Sequence, residues 1–269
     1  MAVITKITTQ QKNKDRYNIF MDYGKGEEFA FSVDSDVLIK HQLKKGMEID
    51  DFSFMEIQYQ DDIRKAYSKA ISYLARRMRS EKEIKDHLLQ KEIEEPVIQE
   101  VIHKLLALNY INDQEFAFAY ARTQMNTTDK GPDIIKTELR EKGIEKTIIE
   151  MVLEEFSFDL QLEKATKLCE KAQKNSKDSQ RAVKQKIEQL LIRKGYTFEI
   201  IHLAINETNM ETEEDELGAI RFQGEKLERK YNRYSGYEYK QKMKQALYRK
   251  GFSFDLIDKY LAEQIDSFD

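Results

Sequence analysis

Residues 191–204 read LIRKGYTFEIIHLA, and residues 247–260 read LYRKGFSFDLIDKY. Both follow one template: Leu, two residues, Lys, Gly, an apolar residue, three further residues, then two adjacent apolar residues. The template has a direct physical meaning. Lys and Arg fall in the last turn of a helix, where cations meet the negative end of its dipole. Gly195 and Gly251 stand at the position after the helix, where the left-handed conformation carries no Cβ penalty. Thr197 and Ser253 then stand where the next helix needs an N-cap. That helix lays Ile200/Ile201 or Leu256/Ile257 against the one before it.

Two further copies lie upstream, LREKGIEKTIIEMV at 139–152 and LLQKEIEEPVIQEV at 88–101. The anchoring leucines are Leu88, Leu139, Leu191 and Leu247, with Ile84, Ile135, Ile187 and Met243 one helical turn earlier. The glycine of the third copy is Gly143. The first copy has Glu92 there, so it is expected to turn differently, with Pro96 at the first position of the following helix. The copies recur at intervals of roughly 50 residues, the spacing of a tandem repeat. Each interval has room for one more helix, expected at about 62–78, 113–126, 159–174 and 213–234. Three helices together bury apolar stripes that no pair covers.

Residues 1–60 have another character. VITKITTQ, RYNIFMDY and EEFAFSV are short β-branched and aromatic runs, and Gly24 and Gly26 punctuate the second and third as a hairpin turn. SDVLIKHQL reads as a short helix capped by Ser35 or Asp36, and KKGMEI as a turn and a strand. The expected fold is therefore mainly α. Tandem three-helix repeats at 61–111, 112–157, 158–208 and 209–269 form an elongated, curved array with neighbour-only contacts, preceded by a small β-rich domain at 1–60.

Composition agrees. The chain has 269 residues, 40% hydrophobic and 35% charged, with two prolines and no tryptophan. High charge suits thin helical modules, which have more surface per residue than one thick core. Cys169 stands alone, which excludes an internal disulfide framework and a cysteine-based zinc site and suits a reducing, cytoplasmic setting. No run approaches 18 consecutive apolar residues, and the N-terminus lacks the apolar core of a signal peptide.

The net charge of −4 hides local asymmetry. Residues 161–205 carry ten bases and five acids, 206–218 six acids and no base, and 219–250 ten bases and three acids. The acidic run reads as a linker or helix start, and the basic flanks as surfaces for phosphate or an acidic partner. Candidate partner or DNA contacts are Arg76, Arg77 and Arg79, then Arg122, Lys130, Lys136 and Arg140, and Arg193, Lys194, Arg249 and Lys250. Three arginines within four positions cannot share one helical face, so Arg76, Arg77 and Arg79 suit a helix end. Tyr231, Tyr234, Tyr237 and Tyr239 lie beside lysines, where base stacking competes with ordinary packing.

Catalytic signals are missing. There is no nucleotide-binding glycine loop and no HExxH. His41, His87, His103 and His202 are scattered, and Cys169 has no nearby histidine, so it reads as a buried structural thiol. The sequence predicts no cofactor and no metal.

Three stretches in order, SEKEIKDHLLQKEIEEPVIQEVIHKL, YINDQEFAFAYARTQM and KGPDIIKTELREKGI, resemble the regulatory protein RecX family. The later repeats fit its three-helix modules, and residues 1–60 look like the N-terminal extension of its longer Gram-positive members. The resemblance implies a non-enzymatic regulator that binds the RecA recombinase filament on single-stranded DNA. It would restrain filament assembly, ATP hydrolysis, strand exchange and co-protease activity in DNA repair and recombination. Apart from the resemblance, the absence of a heptad seam or large extra apolar stripe predicts a monomer, expected in the cytoplasm with no membrane partner. The competing reading is a sequence-independent nucleic-acid binder that competes for DNA.

Overall fold

Every copy of the leucine template ends its helix with the same turn. In the computed structural model, which describes residues 2–174, 176–208 and 213–266, the residue at the glycine position has a left-handed backbone in all four copies. Its φ is +58° at Glu92, +82° at Gly143, +82° at Gly195 and +94° at Gly251. The N–H of the following residue returns to the template leucine's carbonyl: Ile93 to Leu88 at 3.3 Å, Tyr196 to Leu191 at 3.1 Å and Phe252 to Leu247 at 3.3 Å. This is the six-to-one bond of a Schellman motif, and it satisfies a carbonyl that the helix leaves open. The expectation that the first copy turns differently is therefore corrected: Glu92 adopts the glycine conformation.

The chain folds as two units, Met1–Ala117 with Glu141–Ile144, and Phe118–Arg140 with Glu145–Asp269. The first unit opens with strands β1 (Ala2–Thr9), β2 (Arg16–Asp22) and β3 (Glu27–Asp34), helix α1 (Ser35–Lys40) and the short strand β4 (Glu48–Ile49). The sheet is antiparallel in the order β3-β2-β1-β4. Asp22 Oδ1 accepts from the N–H groups of Gly24 and Gly26, at 2.7 and 3.0 Å, and shapes the β2–β3 turn. The cap of α1 is Asp34, one residue earlier than expected; its carboxylate accepts from the Asp36 N–H at 3.1 Å.

Helix α2 (Asp51–Leu74) starts eleven residues before the expected position and runs unbroken through residue 60. Its N-terminal part gives Ile57 to the core of the sheet, beside Ile4, Ile19, Met21 and Val33. Its C-terminal part gives Ala66 and Ala70 to a second core with α3 (Glu81–Leu89) and α4 (Glu95–Ala107). The fourfold periodicity from Ala66 to Ala70 seats α2 closely against its partners. Pro96 is the second residue of α4, one position later than expected but still in its first turn.

Helix α5 (Asp113–Thr127) leads into α6 (Pro132–Glu141) and α7 (Lys146–Glu154). The rest of the second unit is α8 (Phe158–Gln173), α9 (Gln180–Lys194) and α10 (Phe198–Glu207), then α11 (Glu213–Tyr231), α12 (Gly236–Arg249) and α13 (Phe254–Asp266). Thr197 caps α10 as expected, accepting from the Ile200 N–H. Part of the acidic run, 209–212, lies outside the described residues; Glu213 onward opens α11. The protein is thus mainly α, built of three-helix repeats behind a small antiparallel sheet.

The lysine–glycine turns have a second role. In the first unit, Ser80 Oγ donates to the Lys142 carbonyl at 2.7 Å, and a Cβ on Gly143 would stand 2.7 Å from Lys82 Cβ. In the second unit, the Gly131 N–H donates to the Lys194 carbonyl at 2.6 Å and the Asp133 N–H to the Gly195 carbonyl at 3.1 Å. Ser179 Oγ likewise donates to the Lys250 carbonyl at 2.6 Å. Each time, the N-terminus of a middle helix holds the lysine–glycine turn of the next copy. Glu92 belongs to the first copy, which has no predecessor; it is exposed, so a side chain is tolerated there.

Candidate partner-binding surfaces

The basic positions singled out in the sequence divide by their partners. Arg76, Arg77 and Arg79 lie in the turn between α2 and α3. Arg77 is tied down: its guanidinium makes a two-pronged contact with Glu83, at 3.2 and 2.8 Å. Glu83 also completes a capping box with Ser80, so Arg77 supports the start of α3. Burial raises the Glu83 carboxyl, but Arg77, the Ser80 N–H and Lys142 outweigh it and hold it below its usual range. Arg79 lies over the ring of Tyr73, 4.0 Å from its centre. Arg76 is exposed and has no carboxylate within ion-pair distance among the described residues.

In the second unit, Arg122 grips Glu155 through two bonds of 2.7 and 2.5 Å. The pairing pushes the arginine up and the carboxyl down. Lys130 bonds Glu138 at 2.5 Å and Gln124 at 2.8 Å, and Tyr120 donates to the same Glu138 at 2.9 Å. These two cations brace helices. Lys136 and Arg140 have no ion pair among the described residues. Lys194 has only a long contact, 3.8 Å, to Asp129. Arg193, Arg249 and Lys250 are exposed and unpaired among the described residues. The structure therefore leaves Arg76, Lys136, Arg140, Arg193, Arg249 and Lys250 available to a partner, and occupies Arg77, Arg122 and Lys130.

Sequence reasoning passed over Lys69, Tyr73 and Lys91 and set His87 aside as a scattered histidine; together they surround a concavity next to Arg76. The signal was present: Lys69, Tyr73 and Arg76 fall at helical spacing, and Lys91 is the lysine of the first template copy. Two aromatic–cation clusters also stand out. Lys177 and Lys226 lie 4.2 and 4.1 Å from the centre of the Phe222 ring, and Arg233 and Lys242 lie 4.9 and 4.4 Å from that of Tyr234. Tyr237 is exposed, whereas Tyr231 and Tyr239 pack against the core of the last repeat.

Cys169 is buried in α8, and burial pushes its thiol above the ordinary range against a lowering bond to Thr208. A thiol so placed is inert. A colorimetric thiol reagent should therefore label the native chain at well under a tenth of its rate in denaturant. Equal rates would show that α8 is open. No cluster of three metal-ligating side chains occurs among the described residues, and no described helix is long and apolar enough to cross a membrane.

Successive three-helix modules, interlocked through glycine turns and presenting unpaired cations beside those turns, define a tandem helical-repeat protein. Comparisons identify which one. The family model of the regulatory protein RecX N-terminal domain matches residues 2–50. Models of the first and second RecX three-helix domains match 66–105 and 112–153, and that of the third matches twice, at 159–205 and 213–261. The chain is 48% identical over 266 residues to the regulatory protein RecX of Bacillus subtilis, covering 98% of this chain and 99% of that one. It is 47% identical over 266 residues to that of Bacillus velezensis, covering 98% and 100%. A crystal structure of regulatory protein RecX aligns with TM-score 0.66 and 35% identity, over 77% of this chain and all of that one. The RecX structure from Lactobacillus salivarius aligns with TM-score 0.53 and 44% identity, over 56% and 98%. The chain belongs to the RecX family of regulatory proteins.

Proposed function

We propose that this chain binds the RecA filament on single-stranded DNA and restrains its assembly and ATP hydrolysis without catalysing a reaction itself. The observation that carries the reading is the recurrence of unpaired cations at the helix-end turns: Arg193, Arg249 and Lys250 in the later repeats, Arg140 in the second, Arg76 near the first. Repeated modest contacts of one kind suit a partner that itself repeats, because linked sites gain through effective concentration. Family membership supports a regulatory role. On this reading the protein works as a cytoplasmic monomer and needs no cofactor.

The test is RecA ATP hydrolysis on single-stranded DNA, titrated with this protein at low and moderate salt. Inhibition at a small fraction of the RecA concentration, persisting at moderate salt, is expected. Reversing Arg193, Lys194, Arg249 and Lys250 to Glu together should weaken it by about tenfold or more, since like-charge contacts replace favourable ones. Unchanged inhibition would remove that surface from the reading.

The aromatic–cation clusters at Phe222 and Tyr234 favour a second reading, direct sequence-independent binding of nucleic acid. It predicts binding to DNA without RecA, inhibition only near DNA saturation, and steep loss with salt.

A further inference from the structure

One concavity of the first unit has an electrostatic character unlike its surroundings. It is an open depression of about 490 Å³ between the C-terminal part of α2 and the end of α3. Lys69 and Arg76 line it from the α2 side and Lys91 from the α3 side, and no carboxylate lines it. None of these three cations has an ion pair among the described residues. That is notable where Lys65, Arg77 and Lys85, close by in the same unit, each hold a carboxylate. Tyr73 and His87 form part of the wall, stacked with centres 3.9 Å apart and planes 6° from parallel. Arg79 covers the Tyr73 ring, and its buried Nε has no hydrogen-bond partner. Ser68 adds a hydroxyl at the rim.

The cations act together on the imidazole among them. Burial first, then the charges of Lys91, Arg79, Arg76 and Lys69, push the His87 imidazole below its usual range. An assembly of like charges without an anion is self-repelling, and an anion entering it meets guanidinium and ammonium donors already in place. A phosphate group offers the charge and the several acceptor oxygens that such donors match. The volume exceeds what phosphate alone needs and leaves room beside it for an attached sugar. His87 and Arg79 cover the two faces of the Tyr73 ring, so His87 is the ring left to meet the sugar or base attached to that phosphate.

We propose that this concavity is a phosphate-binding site that accepts a nucleotide unit, with Lys69, Arg76 and Lys91 as the phosphate donors and His87, held by its stack on Tyr73, as the wall for the nucleoside. Its recognition is independent of RecA, so it is tested on the full chain alone. The probe is the His87 ring resonances in NMR, followed against thymidine monophosphate, single-stranded oligothymidylate and a glutamate-rich peptide of matched charge. A saturable shift is expected with a phosphate ligand. Saturation by the oligonucleotide at much lower concentration than the mononucleotide makes a strand the source of the phosphate; equal concentrations make it a free nucleotide.

Replacing Arg76 and Lys91 by Gln together should weaken that binding by about tenfold or more, the loss expected from a charge-assisted contact. Both side chains are exposed, so the melting temperature should hold. Lys69→Gln serves as an independent second variant, and Lys12→Gln with Lys14→Gln, exposed on the β-rich part, as the control that leaves affinity unchanged. No shift with either phosphate ligand, equal affinity in the Arg76/Lys91 variant, or equal response to the glutamate peptide would overturn the proposal.

Discussion

Alanine at position 195 is expected to lower the unfolding free energy of the second unit by about 3 kcal/mol, a large loss for one methyl group. Gly195 has φ +82°, and its added Cβ would lie 2.7 Å from Ile134 Cγ1 and 2.8 Å from the Ile134 backbone nitrogen. The left-handed conformation alone costs a residue with a Cβ about 1 kcal/mol. The contact with backbone cannot be relieved by a rotamer change, so the turn must withdraw. Withdrawal strains the Gly131–Lys194 and Asp133–Gly195 hydrogen bonds, each worth about 1 kcal/mol. Gly131 offers no slack, because its own Cβ would meet the Gly195 carbonyl oxygen at 2.5 Å. Position 92 is the internal control. Glu92→Gly should stabilise the first unit by up to about 1 kcal/mol, because a residue already left-handed sheds its Cβ penalty. Urea unfolding of the two variants checks both signs. A neutral Gly195→Ala would mean that the turns do not interlock.

The repeat was legible because one requirement recurs in it. A helix that must stop and reverse in the same way four times writes Leu, Lys and Gly at fixed offsets, and local backbone chemistry carries that information. Why glycine is kept in three copies was not legible. The left-handed turn alone permits Glu92, as the first copy shows, so the stronger demand comes from the close approach of Lys82, Ile134 or Ser179. Those residues stand far away in sequence. Likewise the start of α2 was misread because this one helix serves two cores. Ile57 faces the sheet while Ala66 and Ala70 face the helices, so no single apolar stripe marks the helix beginning.

The candidate surface was legible only as a collection of charges. Sequence distinguishes a lysine from a leucine but not a lysine with a carboxylate from one without. Arg77 and Arg122 looked like partner contacts, yet Glu83, six residues on, and Glu155, just past the end of α7, occupy them. Lys69 lies on α2, Arg76 in the turn after it and Lys91 in the turn after α3, and they meet only when the first repeat folds. Pairing in space decides which cations remain available, and it depends on tertiary structure that no local pattern encodes.

Asp61→Asn is expected to cost about 3 kcal/mol, because it leaves the half-buried Arg16 guanidinium without its counter-charge. Asp61 is 2% exposed on α2 and accepts four hydrogen bonds. Two come from Arg16 on β2, at 3.2 and 2.8 Å, one from Lys65 at 2.9 Å and one from the Asp34 N–H at 2.8 Å. Arg16 also donates to the Ser32 carbonyl at 2.9 Å, so one guanidinium joins two strands to the helix. Burial pulls the Asp61 carboxyl upward, but Arg16, Lys65 and the Asp34 N–H outweigh it and leave it below its usual range. The sign of the pH effect follows. A depressed folded-state carboxyl contributes stability above its unfolded value, about 3.9, and that contribution disappears as pH falls through the folded value. The gap between native and Asn chains in urea unfolding should therefore be full at pH 7 and close progressively below about pH 4. Removing both charges, Arg16→Met with Asp61→Leu, should recover most of the loss, since the penalty belongs to the orphaned charge rather than to the missing pair. A gap that stays constant to pH 2, or a double variant as unstable as the single one, would place the contribution of Asp61 in packing. Full recovery would make the ion pair a device of orientation, fixing how the sheet sits on the helix that carries the first repeat.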